Sequence, residues 1–451
     1  MGLSQKYPKD SLKSPLSFSH AINSPDWVKD AIIYCVYLRS FSTEGTFEAL
    51  EKRIPELKAL GVNVIWLMPI HPIGIKNRKG KLGSPYSVRD YYDVNPECGT
   101  IIDFQKLLST VHKNKMKLII DLVINHTSWD SKLLQQHPEW FTKDSAGNII
   151  SPNDDWTDVA DLDYTKRGLR DYMLEMIEWW VKDIGIDGFR CDVSELIPLD
   201  FWDEVRERLN RIKPVMLLSE GSLPEHHLKT FDITYSWNIY DALKPLLDGK
   251  RTAKYIDTLL EREWTTFPKN SLRLRFNTNH DKNFWDAPAI EKFGVSGLKL
   301  TAVMINTIPG IPLIYNGEEV ANDKRLSLFE KTDIDWTRPR DMDSLYKILF
   351  KLRKENKAIS RGNFLKIPTS DDKHIYAFLR TEKNNKVLIV LNFSKESQVT
   401  ELNLPIDMLL KKKQTIKVKN IFSDDFLMID RNEKCKINIA PYGFKIYVIE
   451  K

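Results

Sequence analysis

The sequence has few cysteines and no long apolar run. Cys35, Cys98, Cys191 and Cys435 are scattered over 451 residues, and no two of them form a Cys-x-x-Cys pair. This spacing argues against a zinc or redox motif and against a disulfide framework. Because no stretch approaches about 18 consecutive apolar residues, we predict no membrane span.

A strong charge of one sign is also absent. The 67 Lys and Arg residues nearly balance the 62 Asp and Glu residues, leaving a net charge of +5. So mild a charge, with both signs interspersed, does not predict a nucleic-acid partner. No Gly-rich phosphate loop follows the first predicted strand, which disfavours a nucleotide-binding fold.

The N-terminal residues lack the apolar segment of a signal peptide. They are polar and rich in Pro and Ser, so we predict a flexible lead over residues 1–25. The expected location is the cytoplasm. The alternative is a secreted or surface-anchored enzyme whose export signal has been removed and whose polar lead serves as a tether.

From residue 26 onwards, strand and helix patterns alternate about eight times. The strand-like runs are continuous in Val, Ile and Leu, as in parallel strands buried on both faces. The predicted strands are 31–41, 62–68, 117–125, 188–193, 215–220, 231–237, 272–279 and 311–315. This alternation predicts an α/β fold, a (β/α)8 TIM barrel over residues 26–356. A doubly wound open sheet is the alternative, although it rarely needs eight units.

Two segments depart from the alternation. Residues 126–165 form a long polar connection after the third strand, and we predict a short inserted loop subdomain there. After residue 356 the pattern changes to short strands between polar turns, such as 375–380, 386–392, 414–422 and 436–439. We therefore predict a C-terminal all-β sandwich domain over residues 357–451.

The fourth strand carries two charges in the stretch Gly185-Ile-Asp-Gly-Phe-Arg-Cys-Asp192. Arg190 and Asp192 are two residues apart, so both side chains leave the same face of the strand. Unpaired charge in a buried strand costs several kcal/mol. The pair is therefore either a structural ion pair or part of a catalytic site.

Other predicted strands also end in acids or imidazoles. Strand three ends at His126, strand five at Glu220, and strand seven at His280 and Asp281. One such residue can be explained as a helix cap or a buried ring. In a TIM barrel, however, all strand ends meet at the catalytic face, so their convergence with Arg190 and Asp192 predicts an active site.

Three carboxylates without a Cys or His cluster suit acid–base chemistry at a carbon–oxygen bond. Glycoside cleavage needs one carboxyl group that stays protonated and one that is ionised. We expect Arg190 to hold Asp192 ionised, which suits a nucleophile. Glu220 ends an apolar run and should be the more desolvated acid, which suits the general acid/base.

These segments resemble the conserved regions of the α-amylase family of retaining glycoside hydrolases (glycoside hydrolase family 13). The similar motifs are DLVINH, GFRCDV, LLSEG, NTNHD and PGIPLIYNGEE, which follow one another in the family's order, and ADLDY in the loop after strand three. The resemblance implies Asp192 as nucleophile, Glu220 as general acid/base and Asp281 as the carboxylate that stabilises the transition state. It also implies that Tyr86, His126, Arg190 and His280 bind the sugar, with Tyr86 stacking on it.

The sequence departs from the family where many members have a Lys-His pair after the nucleophile. Glu195 and Leu196 occupy those positions, so the subsites beyond the cleaved bond should differ. Asn125 and Asp161 match two calcium-ligand positions of the family. Oxygen ligands of this kind suit Ca²⁺, although Asn125 could equally brace the loop through hydrogen bonds. The chemistry itself requires no cofactor.

The resemblance implies hydrolysis of α-glucosidic bonds, with α-1,4 bonds expected, in starch-like oligo- or polysaccharides. Two alternatives remain open from the sequence. A transglycosylase, such as a trehalose-forming enzyme, would use the same residues and differ in how well water is excluded. A non-catalytic amylase-like scaffold would have lost catalytic acids, and Asp192, Glu220 and Asp281 are all present.

Overall fold

The computed structural model describes residues 13–410 and 413–449. The first ten strands are β1 (Ile33–Val36), β2 (Val64–Leu67), β3 (Lys117–Leu122), β4 (His126–Ser128), β5 (Val159–Asp161), β6 (Gly188–Cys191), β7 (Met216–Ser219), β8 (Ile233–Tyr235), β9 (Leu272–Arg275) and β10 (Ile311–Tyr315). All of these except β4 and β5 close into one parallel barrel in the order β1-β10-β9-β8-β7-β6-β3-β2. The predicted TIM barrel is confirmed.

Helices surround the barrel and connect its strands, and one short helix, the last of the series, lies in the C-terminal region. In chain order they are α1 (Asp26–Lys29), α2 (Leu38–Phe41), α3 (Phe47–Leu60), α4 (Ile101–Lys113), α5 (Lys132–Gln136), α6 (Arg167–Trp179), α7 (Leu199–Asn210), α8 (His226–Lys229), α9 (Trp237–Leu247), α10 (Tyr255–Thr266), α11 (Ala289–Thr307), α12 (Asp341–Glu355), α13 (Lys357–Arg361) and α14 (Ile406–Leu410). Across the parts of the chain that the structure describes, no helix is long and apolar enough to cross a bilayer.

Local sequence explains where the barrel helices begin and end. Thr100 starts α4 with a capping box, in which its hydroxyl accepts from the Asp103 backbone and Asp103 accepts from the Thr100 backbone. Gly61 ends α3 in the left-handed conformation, at φ 115°. The buried residues of α3 are apolar and recur at helical spacing, so one face of the helix packs on the barrel.

The first strand is shorter than the predicted 31–41, because β1 ends at Val36 and α2 begins at Leu38. The Asn316 side chain accepts a hydrogen bond of 2.5 Å from the Tyr37 backbone N–H. This bond takes the place of the next backbone hydrogen bond between neighbouring strands, and the chain then turns into α2. An apolar run does not distinguish a buried strand from a buried helix, so the sequence could not show this break.

The prediction of a flexible lead over 1–25 differs from the structure in its second half. The Ser14, Ala21 and Ile22 backbone N–H groups donate to carbonyls of Thr265, Lys269 and His227 on the barrel. A polar, Pro-containing composition does not reveal such backbone pairing. Residues 1–12 of that prediction lie outside the described residues.

The connection after β3 is an inserted subdomain, as predicted. Its strands β4 and β5 pair antiparallel, with His126 opposite Asp161 and Ser128 opposite Val159. This hairpin carries the insertion over the open end of the barrel, close to the strand ends. Strand β3 itself ends at Leu122, so Asn125 and His126 belong to the exit loop and the hairpin.

The C-terminal region is all-β apart from the short helix α14. Its strands are β11 (Asn363–Ile367), β12 (Ile375–Glu382), β13 (Asn385–Asn392), β14 (Gln398–Leu402), β15 (Thr415–Lys419), β16 (Phe426–Asp430), β17 (Cys435–Ile439) and β18 (Phe444–Ile449). Strands β11-β12-β13-β18 form one antiparallel sheet, and the pairs β14-β17 and β15-β16 face it across a shared apolar core.

Candidate active site

The ends of β6 and β7 bring Asp192 and Glu220 side by side. The two strands are paired in register, with Cys191 opposite Ser219, and each acid follows directly. The backbone bond of 2.9 Å from Glu220 N–H to the Cys191 carbonyl extends the ladder to this point. Neighbouring strands lie about 4.8 Å apart, so the two acids leave the barrel at close to that spacing.

Arg190 connects three carboxylates at the centre of the site. Its Nη1 donates to Asp192 Oδ1 and to Asp121 Oδ1, both at 2.8 Å, and its Nη2 lies 2.7 Å from Glu220 Oε1. The guanidinium is fully buried. The predicted pairing of Arg190 with Asp192 is therefore present, but Arg190 is shared among three acids.

Asp121 was not assigned a role from the sequence. It lies in β3 and is fully buried, and it accepts hydrogen bonds of 3.3 Å from both Trp66 Nε1 and the Tyr86 hydroxyl. The sequence does contain evidence for it, because an acid inside the apolar run KLIIDLVIN would be a buried charge that needs a partner, as Arg190 would be in its own strand.

One cation against three acids leaves the site short of positive charge. Burial, and then the Glu220 carboxylate, raise the pKa of Asp192 well above its usual value despite Arg190. Burial also raises the pKa of Asp121 to about 7. Burial and mutual repulsion therefore favour a shared proton at Asp192 and Asp121, and such a proton belongs to the interacting pair rather than to one residue.

Two expectations about these acids are corrected by this geometry. Arg190 does not by itself hold Asp192 ionised, because desolvation and the Glu220 charge oppose it. Glu220 is not the more desolvated acid, because its side chain is 15% exposed whereas that of Asp192 is 8% exposed. The apolar run before Glu220 packs into the barrel wall and does not cover the carboxyl group.

Asp281, His280 and Tyr86 form the adjoining wall. Asp281 follows β9, and its Oδ2 lies 3.4 Å from His280 Nε2. The rings of Tyr86 and His280 stack at 5.6 Å, with the Tyr86 hydroxyl 2.7 Å from His280 Nε2. Burial raises the pKa of Asp281 and lowers the pKa of His280 to about 3, so His280 is neutral.

His126 sits at the start of the inserted hairpin. Burial lowers its pKa to about 4. Its ring lies 5.3 Å from that of Trp156, which the insertion supplies and which the sequence reasoning did not select. The structure thus brings His126 to the same open end of the barrel as the other predicted residues.

The two predicted calcium ligands lie at the base of the insertion. Asp161 pairs with His126 across the hairpin, and the Asn125 carbonyl accepts from the Leu162 backbone at 3.2 Å. Within residues 13–410 and 413–449, no three His, Cys, Asp or Glu side chains cluster as metal ligands. Because Ca²⁺ takes six to eight oxygens, Asp161 would need several carbonyls beside it, and the donor set fits calcium poorly.

Glu195 makes its contacts with the loop after β7. Its Oε1 accepts a hydrogen bond from the Ser222 backbone, and a Cβ on Gly221 would lie 2.6 Å from Glu195 Cγ. Glu195 therefore ties the loop after β6 to the loop after β7. Beside it, Leu196 is 60% exposed, so an apolar side chain faces solvent where a Lys-His pair is common.

A parallel barrel with acids converging at its carboxyl ends, two of them on adjacent strands, defines a glycosidase-type site. Family comparison agrees. Residues 15–157 and 153–361 match the model "Alpha amylase, catalytic domain", and residues 365–446 match "Maltogenic Amylase, C-terminal domain". The chain belongs to the α-amylase family of glycoside hydrolases, and it is an enzyme of the glycosidase class.

Curated relatives are distant but extensive. The chain is 26% identical to Alpha-amylase 3 of Dictyoglomus thermophilum over 517 residues, covering 96% of each protein. It is also 26% identical over 405 residues to Alpha-amylase MalA of Haloarcula japonica, covering 85% of this chain but only 58% of MalA.

Among solved structures, the chain is similar to the noncanonic maltogenic alpha-amylase AmyB from Thermotoga neapolitana. The identity is 32% and the TM-score 0.86, covering 94% of this chain and 99% of AmyB. An alpha-amylase from Lactobacillus plantarum is 28% identical with a TM-score of 0.82, covering 93% of this chain and 99% of that enzyme.

Proposed function

We propose that this chain hydrolyses α-1,4-glucosidic bonds of starch-like oligo- or polysaccharides with retention of anomeric configuration. The observation that carries the proposal is the placement of Asp192 and Glu220 on adjacent strand ends, both in contact with Arg190. A retaining enzyme needs its two carboxyl groups about 5–5.5 Å apart, whereas an inverting enzyme needs room for a water between them. Adjacent parallel strands provide the shorter spacing.

The reaction then proceeds in two displacements. Asp192 attacks the anomeric carbon and forms the glycosyl–enzyme bond, while Glu220 transfers its proton to the leaving glycosidic oxygen. Glu220 next takes a proton from water, and the resulting hydroxide equivalent breaks the Asp192–sugar bond. The net reaction consumes one water and regenerates both carboxyl groups in their starting states.

The remaining residues position the sugar and stabilise charge. Asp281 lies beside neutral His280 and remains partly exposed, so it can receive hydrogen bonds from sugar hydroxyls. Arg190 balances the carboxylates as charge moves from Asp192 to the sugar and back. Tyr86 offers its ring face, and His126 with Trp156 closes the side formed by the insertion.

The substrate class rests on two supports. The convergent site has the residues for glucoside cleavage, and the similar proteins are named alpha-amylases and a maltogenic alpha-amylase. Exposed Leu196, near the Asp192 strand end, supports a leaving-group side with fewer charged contacts than a Lys-His pair would give.

The test is product analysis with matched variants. The native enzyme should release the α-anomer from maltoheptaose, followed by NMR before mutarotation. Asp192→Asn and Glu220→Gln should each reduce kcat by more than about 10³-fold while the circular dichroism spectrum and Tm stay close to those of the native protein. Initial release of the β-anomer, or substantial turnover by Asp192→Asn, would overturn the assignment.

Resolving all products from maltoheptaose, cyclodextrin, pullulan and trehalose separates hydrolysis from glycosyl transfer. Hydrolysis predicts shorter chains only. Chains longer than the substrate, or trehalose-type products at comparable yield, would instead favour a transglycosylase.

We propose that any bound Ca²⁺ would be held at the base of the insertion by Asn125 and Asp161. Were Ca²⁺ bound there, it would stabilise the base of the insertion. A rise in Tm with added Ca²⁺ that is abolished in Asp161→Ala would support the site, and identical Tm values in Ca²⁺ and in EDTA would remove it.

A further inference from the structure

An exposed aromatic cluster lies just outside the sugar site. The Trp285 side chain is 66% exposed, more than any other Phe, Tyr or Trp side chain in the described part of the chain. Its ring packs edge-on against Phe284 at 4.5 Å, and Phe329 lies 5.7 Å from Phe284 and 6.2 Å from Trp285. We call Phe284, Trp285 and Phe329 the aromatic platform.

Both loops that carry the platform, one with Phe284 and Trp285 and one with Phe329, are connected to the sugar site. Trp285 lies four residues after Asp281 and five after His280. Phe329 accepts a backbone hydrogen bond of 3.1 Å from Leu82, in the loop that leads to Tyr86. Tyr86 and His280 stack on each other. The segment from His280 to Trp285 and the segment from Tyr86 back to Leu82, which contacts Phe329, therefore both start at this ring pair.

Hydrogen bonds hold the two loops of the platform together. Asn283 Oδ1 accepts from the Leu326 backbone at 2.7 Å, and its Nδ2 donates to the Lys324 carbonyl at 3.3 Å. Arg325 donates to the Phe284 carbonyl at 3.2 Å. The indole of Trp285 is thus presented by a fixed support and not by an isolated loop tip.

The barrel order places the platform across the cleft from the loop that carries Leu196. Phe329 follows β10, which three strands separate from β6 in either direction around the closed barrel, and Trp285 follows β9, which β7 and β8 separate from β6. A glucan that leaves the cleavage point past Tyr86 would therefore meet Trp285 on the side away from Leu196.

We propose that Trp285, backed by Phe284 and Phe329, is an outer binding site for a glucose unit of an α-glucan chain, beyond the sugar held by Tyr86. The apolar face of a glucose ring covers an exposed indole face and excludes water from it. The inference deepens the proposed function and rests on it. With this outer site, the enzyme would prefer glucan chains that are long enough to reach from the cleavage point to Trp285.

The test compares substrates of two lengths in Trp285→Ala and Trp285→Phe. For maltoheptaose, Trp285→Ala should raise KM about three- to tenfold, with kcat nearly constant, and Trp285→Phe should restore part of the loss. The ratio of kcat/KM for maltoheptaose over 4-nitrophenyl α-maltoside should fall by a similar factor. Phe426→Ala is the matched control, because Phe426 is 48% exposed but lies on β16 of the C-terminal domain.

A binding measurement keeps this inference separate from the proposed chemistry. Calorimetric titration of maltoheptaose into Asp192→Asn and into Asp192→Asn/Trp285→Ala needs no turnover. Weaker binding in the double variant supports the platform. Equal affinity of the two variants, or an unchanged substrate-length ratio in Trp285→Ala, overturns it. Failure of the native enzyme to cleave any α-glucan would instead overturn the proposed function.

Discussion

Tyr86 combines two contributions that two substitutions can separate. Its ring stacks on His280, and its hydroxyl bonds to His280 Nε2 at 2.7 Å and donates to Asp121 at 3.3 Å. Tyr86→Phe keeps the ring and removes hydrogen bonding worth about 1 kcal/mol, so we expect kcat/KM for maltoheptaose to fall about fivefold.

Tyr86→Ala also removes the ring, and its loss should be clearly larger. If both variants retain native kcat/KM, Tyr86 has no role in sugar binding. If Tyr86→Phe loses as much as Tyr86→Ala, the hydroxyl alone matters and the stacking role is wrong.

At the scale of single residues, chain geometry was easier to predict than charge. Alternation along a strand placed Arg190 and Asp192 on one face, and their contact is present at 2.8 Å. The expectation for Asp192 considered Arg190 alone, whereas burial and the charges of Glu220 and Asp121, which arrive from other strands, raise its pKa. A sequence shows which residues are charged but not how many charges share one cation.

Among the elements, strand β6 depends on its first residue. Gly188 has φ 142°, and a Cβ there would lie 2.0 Å from the Met216 carbonyl oxygen on β7. Gly188→Ala must therefore push β6 away from β7, which separates Asp192 from Glu220. We expect a loss of more than about 3 kcal/mol in the free energy of unfolding and loss of most activity, measured by urea denaturation and by turnover.

Gly249 provides the matched control for that substitution. It also has a positive φ, of 71°, but a Cβ there would meet nothing within 4 Å. Gly249→Ala should cost about 1 kcal/mol of backbone strain and leave kcat unchanged. Equal effects of the two substitutions would show that strain, and not the β6–β7 contact, explains the loss.

The turn after β10 contains a buried acid that makes stability depend on pH. Glu318 accepts hydrogen bonds from Tyr346 and Asn277, and burial raises its pKa from 4.5 to about 7. Between these values the folded protein holds a proton that the unfolded chain has lost, so stability falls as pH rises. The Gln side chain of Glu318→Gln does not titrate. Between pH 5 and pH 8 the free energy of unfolding of the native protein should therefore fall by up to about 3 kcal/mol more than that of Glu318→Gln.

Urea midpoints at both pH values measure this difference. Exposed Glu396 supplies the control, because Glu396→Gln should leave the native pH dependence in place. Parallel curves for the native protein and Glu318→Gln would show that Glu318 is ionised in the folded state across this range.

Predicting the elements from sequence worked where the pattern is repeated and failed where tertiary contacts intervene. Eight apolar runs gave eight barrel strands, because burial on both faces demands such runs. The break at Tyr37 depends on Asn316, which is far away in sequence. The C-terminal strands predicted as examples correspond to β12, β13, β15 and β17, and the structure adds β11, β14, β16 and β18.

At the scale of the whole molecule, the C-terminal domain is bonded to the barrel at several points. The Tyr376 hydroxyl donates to Asp257 at 2.7 Å, and the Tyr442 hydroxyl donates to the Leu247 carbonyl at 3.0 Å. The Ala253 backbone donates to the Lys373 carbonyl at 2.8 Å. These bonds join α9, α10 and the loop between them to strand β12 and to loops of the C-terminal region, so we expect the two parts to unfold together.

Arg380 offers the sharpest test of that joint unfolding. It lies on β12 with 1% exposure and donates to the Thr307 carbonyl at the end of α11, at 2.6 Å, and to the Gly362 carbonyl at 2.9 Å. Arg380→Met fills similar volume but leaves both buried carbonyls without these donors, at about 1–3 kcal/mol each. Exposed Arg251→Met is the control.

If the molecule unfolds as one unit, Arg380→Met should lower the urea midpoint for loss of activity and the urea midpoint for proteolysis of the C-terminal sheets by the same amount. Cleavage of the C-terminal domain by protease at a urea concentration where the enzyme is still active would contradict unfolding as one unit. It would show that the C-terminal domain unfolds before the barrel does.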